Sequence, residues 1–287
     1  MMRVALLGLG EVGRVLADHL HQHDPSIAAW DIAFADPHSR ATVNANDLSV
    51  RAATSSADAV TGADVVFSAV TAANDLHAAR DAAAAIGSGC WYVDLNSASP
   101  AQKQDSAVLV EQAGGRYVEA AVMSPIHPKG VAAPMLLGGP HSEEFAAVAA
   151  ALGLAGATAY SPVVGPASAT KLARSVVVKG MEALITESML MARAWGVEAE
   201  VLASLSNLLP AADWPTLADY MIRRSLEHGV RRAEEMDEAA ATVADAGVEP
   251  LMAKATAQRQ RWAGDHPEAL EAQGLEALLD AIRKATT

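Results

Sequence analysis

The chain has 287 residues, a formal net charge of −13 and a hydrophobic fraction of 51%, which indicate one or two well-cored domains and exclude a disordered chain. The excess of acidic residues argues against a nucleic-acid partner, because that affinity rests on Lys and Arg neutralising phosphates, although a local cluster of cations can still bind a small anion. The single cysteine, Cys90, excludes an internal disulfide and gives no metal-cluster spacing, so we expect no metal and a reducing cytoplasm.

Short apolar runs alternate with helical stretches through the first half of the chain. The strand-like runs are RVALLGLG, WDIAFAD, ADVVFSAV, CWYVDLN, RYVEAAV, PMLLGG and ATAYSPVV. This alternation predicts an α/β fold, a Rossmann-like doubly wound parallel sheet with helices on both faces. The N-terminus lacks the apolar region of a signal peptide, and Gly and Pro interrupt the uncharged stretch 145–170, so we expect no membrane partner.

After Gly165 the strand signals stop, and the pattern is one of helices. Breaks are predicted at WGVEAE, LPAADWP, EHG, AGVEP and AGDHPEA, where Gly, Pro and short polar groups interrupt the helical period. We therefore place a boundary near Pro162. It separates an α/β domain over residues 1–162 from an all-helical C-terminal domain over 163–287, which begins with a long helix.

The motif GLGEVG follows the first strand and opens the first helix. Gly8 suits the tight turn, Gly10 a close approach of backbone to a pyrophosphate, and Gly13 close packing of helix on strand. The helix N-terminus adds amide donors and a positive dipole end. We predict that this loop binds a dinucleotide cofactor, the alternative being a tight turn without ligand. The predicted contacts are Gly8, Leu9, Gly10, Glu11, Val12 and Gly13.

The residues near the second strand bear on the choice between NAD and NADP. We expect that strand to end at Asp36, whose carboxylate can accept both ribose hydroxyls of an adenosine and so favours NAD. Ser39 and Arg40 follow closely, and a hydroxyl and a guanidinium there suit the phosphate of NADP. A solvated polar loop is the alternative for both residues. Between the two cofactors we favour NAD.

Ends of other strands should line the same crevice, since ligands of such folds sit beyond the carboxyl ends of the strands. Val70 and Thr71 close one predicted strand, and Asn96 and Ser97 close another. Contact with the ribose or nicotinamide of the cofactor is therefore expected. For Thr71 a helix cap is an equal alternative.

The helix that opens at Gly165-Pro166 carries a polar stripe among apolar residues. Lys171, Ser175 and Lys179 recur at steps of four and share one face. If the first turns of this helix face the nicotinamide end of the cleft, partial desolvation and the nicotinamide cation lower the pKa of Lys171 toward that of a general base. The alternative is a lysine that reaches solvent or pairs with a carboxylate.

Four motifs in order, GLGEVG, DLNSASP, VEAAVMSP and GPASATKLARS, resemble the 3-hydroxyacid dehydrogenase and 6-phosphogluconate dehydrogenase superfamily over essentially the whole chain. SVVVKGMEALITES and GVEPLM look like the subgroup with a phosphogluconate-dehydrogenase-like C-terminal region. The resemblance implies a Rossmann-like domain joined by a long helix to an all-helical domain through which two subunits form a homodimer. It also implies hydride transfer between a small hydroxy acid and NAD or NADP, with Lys171 as general acid/base.

The resemblance also points to substrate contacts. Asn96-Ser97 matches a Ser-Thr pair near substrate and nicotinamide in the family. The family's substrate loop, Asp-Ala-Pro-Val-Ser-Gly-Gly, is here EAAVMSP, with Ser124 displaced by one place and the glycine pair gone. The asparagine expected four residues after the lysine is Ser175, preceded by Arg174. We expect Ser124, Ser175 and Asn96 to orient a hydroxy acid beside Lys171, with its identity left open.

The stretch LEHGVRRAEEM lies in the helical half. The resemblance suggests that His228 and Arg231 reach a dimer partner's cleft, where a guanidinium can hold a carboxylate or phosphate. Salt bridges to neighbouring glutamates are the alternative. Two other activities stay open: imine reduction, in a family that usually carries Asp or Tyr where Lys171 stands, and a non-catalytic nucleotide-sensing module.

Overall fold

The computed structural model describes residues 2–22, 26–205 and 213–286. The chain divides into two compact units, Met1–Lys171 and Leu172–Thr287. The division falls a few residues after the predicted boundary near Pro162, which stays a prediction. The first unit contains the sheet, and in the described residues of the second unit only helices occur. This is the predicted architecture.

Eight strands form one sheet in the order β3-β2-β1-β4-β5-β6-β7-β8. All neighbouring strands pair in parallel except β6 and β7, which are antiparallel. The carboxyl ends of β1, β2, β4, β5 and β6 therefore share one edge, where ligands of such sheets bind. The strands are β1 Arg3–Leu7, β2 Ser26–Trp30, β3 Arg51–Ala52, β4 Val65–Ser68, β5 Trp91–Asp94, β6 Arg116–Val122, β7 Met135–Gly138 and β8 Ala157–Ser161.

Eleven α-helices lie in the described ranges. Those of the first unit are α1 Glu11–His21, α2 Arg40–Asp47, α3 Ser56–Val60, α4 Asp75–Ala83, α5 Pro100–Gln112 and α6 Ser142–Ala151. The long α7, Pro166–Trp195, begins in the first unit and continues into the second, followed by α8 Glu198–Leu205, α9 Trp214–Asp245, α10 Leu251–Gly264 and α11 Leu275–Thr286. Among these helices, none combines the length and apolar composition that crossing a bilayer needs.

Apolar side chains cover both faces of the sheet. Leu6 and Phe67 belong to one buried cluster, and Leu7 and Val66 belong to the other, because successive residues of a strand point to opposite faces. Each such side chain contributes about 1.5–3 kcal/mol by its burial. Cys90 is a buried free thiol in the second cluster.

The second strand is shorter than predicted. It ends at Trp30 rather than at Asp36, and residues Ile32–Ala35 form a 3-10 helix. The cause is Asp31, whose side chain accepts a hydrogen bond from the backbone N–H of Ala33 and so starts a turn. The segment WDIAFAD thus contains the last residue of β2 and a 3-10 turn. Asp31, and not Asp36, is the acidic residue that follows β2.

The predicted helix break at EHG is also wrong, because α9 runs through it without interruption. Gly229 allows close packing instead of ending the helix. A Cβ at Gly229 would lie 2.3 Å from the carbonyl oxygen of Gln260 and 2.5 Å from the backbone nitrogen of Gly264 on α10. Part of the predicted break at LPAADWP lies outside the described residues. The other predicted breaks separate helices in the structure.

Candidate active site

The glycine-rich loop between β1 and α1 has the geometry predicted from its spacing. Gly8 has a φ of 91°, and a Cβ there would lie 2.4 Å from the carbonyl oxygen of Ala69. A Cβ at Gly13 would lie 2.1 Å from the carbonyl oxygen of Gly8, so helix and turn need both glycines. Gly10 is different, because no atom lies within 4 Å of the position its Cβ would take. Space is open where a pyrophosphate would approach.

Two neighbours hold this loop in place. The Oδ2 of Asp31 accepts a hydrogen bond from the backbone N–H of Leu9 at 2.8 Å. From the other side, Asn44 on α2 donates from Nδ2 to the carbonyl oxygen of Leu9, also at 2.8 Å. Glu11 and Val12, both half-buried, open α1. Sequence reasoning missed Asp31, although it lies closer than Asp36 to the ~20-residue spacing expected after the motif.

The residues predicted to select the cofactor lie at the start of α2. Asp36 is exposed, and its Oδ1 accepts a hydrogen bond from the backbone N–H of His38. Ser39 caps α2 by accepting from the backbone N–H of Thr42. Arg40 is the first residue of α2 and is exposed. Ser39 therefore has a structural partner, and whether any of these residues contacts a cofactor stays a prediction.

Asn96 connects the ends of β4 and β5. Its Oδ1 accepts from the backbone N–H of Val70 at 2.7 Å, and its Nδ2 donates to Ser68 and Asp75. Thr71 precedes a 3-10 helix over Ala72–Asn74 without a side-chain capping bond, and its hydroxyl accepts from Asn74. The amide of Asn96 thus holds the loop after β4. Its predicted direct contact with substrate stays a prediction.

The side chain of Lys171 contacts the segment that follows β5. Its Nζ donates to the hydroxyl oxygen of Ser97 at 2.6 Å, and both side chains are half-buried. One residue earlier on α7, Thr170 hydrogen-bonds through its hydroxyl with Tyr160 of β8. Two residues predicted separately, one from a strand end and one from a helix stripe, are therefore in direct contact at the edge of the sheet.

A buried acid that sequence reasoning did not identify as functional anchors α7. Glu119 of β6 accepts from the backbone N–H groups of Gly165 and Ser168 at 2.8 and 2.7 Å. These donors are among those that a helix N-terminus leaves without intrahelical partners. A Cβ at Gly138 would lie 2.5 Å from Oε2 of Glu119. A glutamate inside the apolar run RYVEAAV was the signal that could have revealed this anchor.

Ser124 lies beyond the end of β6, on the same edge of the sheet as Ser97. It is half-buried, and its hydroxyl donates to the carbonyl oxygen of Pro125 at 3.2 Å. Glu119 and Ser124 therefore have different surroundings although both belong to the predicted substrate loop. The role of Ser124 toward a substrate stays a prediction.

Four predicted substrate residues belong to the second unit. Ser175 is buried and accepts from Nζ of Lys179, whereas Arg174 is exposed. His228 contacts Arg224 and Glu227 through its Nε2. Arg231 donates to Glu235 at 2.9 Å. The salt-bridge alternative is therefore realised for Arg231, which leaves its predicted contact with substrate a prediction.

Lys179 has a clear structural environment. It is buried and forms an ion pair with Glu235, close to a second buried pair between Arg232 and Glu182. Burial lowers the pKa of Lys179, and the nearby carboxylate of Glu235 opposes that effect without cancelling it. The polar stripe of α7 thus serves the interior of the helical unit at this position.

The α/β half of the chain matches a known family over residues 3–165, described as the NAD binding domain of 6-phosphogluconate dehydrogenase. The chain belongs to this family. Residues 192–263 of this 6-phosphogluconate dehydrogenase-type chain match a second family, described as a domain of unknown function. The predicted superfamily is therefore confirmed, together with its dinucleotide-binding fold.

Individual proteins are similar to this chain. A conserved hypothetical protein from Sinorhizobium meliloti 1021 is 32% identical, with a TM-score of 0.73 over 99% of this chain and 96% of its own. The mitochondrial 3-hydroxyisobutyrate dehydrogenase of Homo sapiens is 24% identical over 74% of this chain. That match spans 63% of the human enzyme, less than two thirds of its length.

Two solved enzymes share the fold at lower identity. A Mycobacterium tuberculosis 3-hydroxyisobutyrate dehydrogenase with L-serine has a TM-score of 0.74, with 19% identity over 100% of both chains. A reductive aminase from Aspergillus terreus in complex with NADPH and ethyl levulinate has a TM-score of 0.58, with 20% identity over 99% of both chains. The architecture is therefore common to enzymes with different substrates.

Proposed function

We propose that the protein is an NAD(P)-dependent oxidoreductase that transfers hydride between nicotinamide and the CH–OH group of a small hydroxy acid. The observation that carries the proposal is the contact of Lys171 with Ser97 at the cofactor edge of a dinucleotide-binding sheet. The family match and the 3-hydroxyisobutyrate dehydrogenase relatives support the same reaction class.

The glycine-rich loop fits a dinucleotide. Crowding at Gly8 and Gly13 forces the turn, while the open space at Gly10 and the amide groups at the start of α1 suit a pyrophosphate. The bound nicotinamide supplies the hydride acceptor, or the hydride donor in the reverse direction. Leu9 stays fixed through Asp31 and Asn44, so the loop is organised before any ligand arrives.

Lys171 acts as the general acid/base. Its amine takes the proton of the substrate hydroxyl when the carbonyl forms and returns that proton in the reductive direction. Ser97, which accepts from Nζ, orients the amine. We assign Ser124 and Ser175 to orienting the substrate, with Arg174, His228 and Arg231 as the cationic groups available to its carboxylate or phosphate.

We propose NAD as the cofactor, with Asp31 in the role that was predicted for Asp36. Asp31 directly follows β2 and is half-buried beside the glycine-rich loop. A carboxylate at this place accepts the ribose hydroxyls of NAD and repels the phosphate of NADP. Asp31→Ala should reduce the preference for NAD over NADP in a titration with both cofactors. An unchanged preference would instead point to Asp36.

We further propose a homodimer formed through α7. Val177, Leu184, Met191 and Trp195 recur on one face of this helix, and each is more than half exposed. Contiguous exposed apolar residues mark association surfaces, and the subunit association implied by the resemblance makes a second copy the occupant. Leu184→Glu should yield monomers in light scattering, whereas Val108→Glu, at an exposed position of α5, should leave the mass unchanged. The lone cysteine also leads us to place the protein in the cytoplasm.

The activity is tested with a panel of hydroxy acids, phosphorylated sugar acids and amino alcohols, with NAD or NADP, following absorbance of the reduced nicotinamide. We expect turnover that is lost in Lys171→Ala and kept in Lys254→Ala, which removes an exposed lysine of α10. Reduction of a cyclic imine without oxidation of any alcohol would instead establish the imine reductase. Cofactor binding without turnover on alcohols or imines would favour the nucleotide-sensing module.

A further inference from the structure

A cluster of three charged side chains lies buried behind the ends of β4 and β5. We call Asp75, Asp94 and Lys103 the buried triad. Lys103 donates from Nζ to Oδ1 of Asp94 at 2.5 Å and to the carbonyl oxygen of Asp94 at 3.3 Å. The same Nζ lies 3.9 Å from Oδ1 of Asp75. All three residues are at most 1% exposed, so water screens none of these charges.

The single ammonium faces two carboxylates. Burial acts to lower the pKa of Lys103, but Asp94 and Asp75 together outweigh burial and raise that pKa above its usual value. Lys103 is therefore a cation at neutral pH. Buried ion pairs are rarely more stabilising than apolar side chains of the same volume. Stability therefore does not explain why these three charged residues lie together in the core, and another role is needed.

The contacts of the triad converge on Asn96. Its backbone N–H donates to Oδ1 of Asp94 at 3.0 Å, and its Nδ2 donates to Oδ1 of Asp75 at 2.6 Å. The same amide donates to Ser68 and accepts from the backbone N–H of Val70. The two carboxylates of the triad thus fix Asn96, Asp94 through the backbone N–H and Asp75 through the side-chain amide, and that side chain in turn holds the loop after β4.

The next residue along the chain reaches the proposed proton donor. Ser97 accepts from Nζ of Lys171 at 2.6 Å. A continuous series of contacts therefore runs from Lys103 through Asp94 and Asn96 to Lys171. The loops after β4 and β5, which the fold directs toward the nicotinamide end of a bound cofactor, are both tied into this series.

We propose that Lys103 is a positioning residue for hydride transfer: it holds Asp75 and Asp94 so that Asn96 fixes both the Val70 loop and the Ser97–Lys171 contact. The inference rests on the proposed function and goes beyond it, because Lys103 itself touches neither substrate nor cofactor. Without the ammonium, Asp94 and Asp75 lose the cation that holds them in place, so the acceptors that fix Asn96 shift.

Lys103→Met removes the charge and keeps an unbranched side chain of similar length. The test is calorimetric titration with NADH or NADPH, whichever the wild-type protein binds more tightly, and with ADP-ribose or its 2′-phosphate, which lack nicotinamide. We expect about tenfold weaker binding of the reduced dinucleotide, equivalent to one lost hydrogen bond, and unchanged binding of the ADP-ribose compound. Turnover should fall about 10²-fold, as for a slightly displaced reacting group.

Phe145→Leu is the matched control, because Phe145 is fully buried in the same unit and outside the triad. It should lower the melting temperature and leave both affinities unchanged. Should Lys103→Met fail to fold, Asp75→Ala replaces it. That variant leaves Lys103 and Asp94 as a balanced pair and deletes one acceptor of Asn96, so the same selective loss of dinucleotide affinity is expected.

Equal loss for the dinucleotide and the ADP-ribose compound, or no loss for either, would overturn the positioning role. Wild-type protein that binds the dinucleotide but turns over no substrate would refute the proposed function. The affinities of Lys103→Met for the dinucleotide and for the ADP-ribose compound would still test the positioning role of Lys103. Wild-type protein that binds neither compound would remove both proposals together.

Discussion

Lys171 and Lys179 lie two helical turns apart on the same stripe of α7, yet their surroundings differ. Lys171 is half-buried and donates to a neutral hydroxyl, that of Ser97. Lys179 is buried and donates to the carboxylate of Glu235. A buried carboxylate stabilises the ammonium form, so it opposes loss of the proton, whereas a hydroxyl orients the amine without adding charge. On the proposed function, one stripe therefore serves chemistry at Lys171 and packing at Lys179.

The largest effect should come from Lys171→Ala. General acid/base catalysis contributes about 10²- to 10⁴-fold, so we expect kcat to fall by that factor while cofactor affinity stays nearly unchanged. Steady-state kinetics with the substrate identified from the panel, combined with cofactor titration, measures both quantities. A large loss of cofactor affinity with intact turnover would place Lys171 in cofactor binding instead.

Lys179→Met should affect stability strongly. It leaves Glu235 without its buried partner, and breaking such a pair costs about 3–5 kcal/mol. Unfolding in urea measures the loss. The double variant Lys179→Met/Glu235→Leu should recover most of it, because two apolar side chains then replace the pair. If the double variant is no more stable than the single one, the pair is not what Lys179 contributes.

The buried carboxyl group of Asp75 should make the stability of the protein depend on pH. Burial, reinforced by the charge of Asp94, raises the pKa of Asp75 from 3.8 to about 7. A raised folded-state pKa contributes stability that is present below about pH 4 and is lost as pH rises through about 7. Asp75→Asn lacks this loss, so its stability relative to wild type should increase by about 1–3 kcal/mol from pH 4 to pH 7.5. Urea unfolding across this range would contradict the account if the difference stayed constant.

The smallest effect is expected at the anchor of α7. Glu119→Gln keeps one acceptor for the two N–H groups of Gly165 and Ser168 and removes the charge. We expect a loss of about 1–2 kcal/mol in the free energy of unfolding, as for other helix caps. Glu144→Gln, at an exposed position of α6, serves as control. Equal stability of both variants would show that Glu119 does not anchor the helix.

Local patterns predicted the sheet, the glycine-rich loop and the helical half. Strand alternation, glycine spacing and the helical period each depend only on residues that are close together in the sequence. The end of β2 was predicted wrongly, since apolar residues after Trp30 form a 3-10 turn that only the capping bond of Asp31 explains. The continuity of α9 depends on the close approach of Gly229 to α10. Such contacts join residues distant in sequence.

The candidate site was predictable in part for the same reason. Lys171 and Ser97 were each selected from a local pattern, and their contact follows from the fold. Lys103 was not selected, because a charged residue on a helix has no distinct local pattern. Glu119 stands out as a charge inside an apolar run, but the run does not show which partner the charge has. Only the three-dimensional structure shows that Glu119 binds the start of α7 and that Lys103 binds Asp94.

Chemical rescue of Lys171→Ala distinguishes proton transfer by the Lys171 amine from a purely structural role of this side chain. Small alkylamines added to the variant can enter the space left by the side chain and carry the proton in its place. Turnover should rise in proportion to the methylamine concentration in Lys171→Ala and stay unaffected in Lys254→Ala. A variant that binds cofactor normally and gains no activity with any amine would contradict the role of Lys171 as general acid/base.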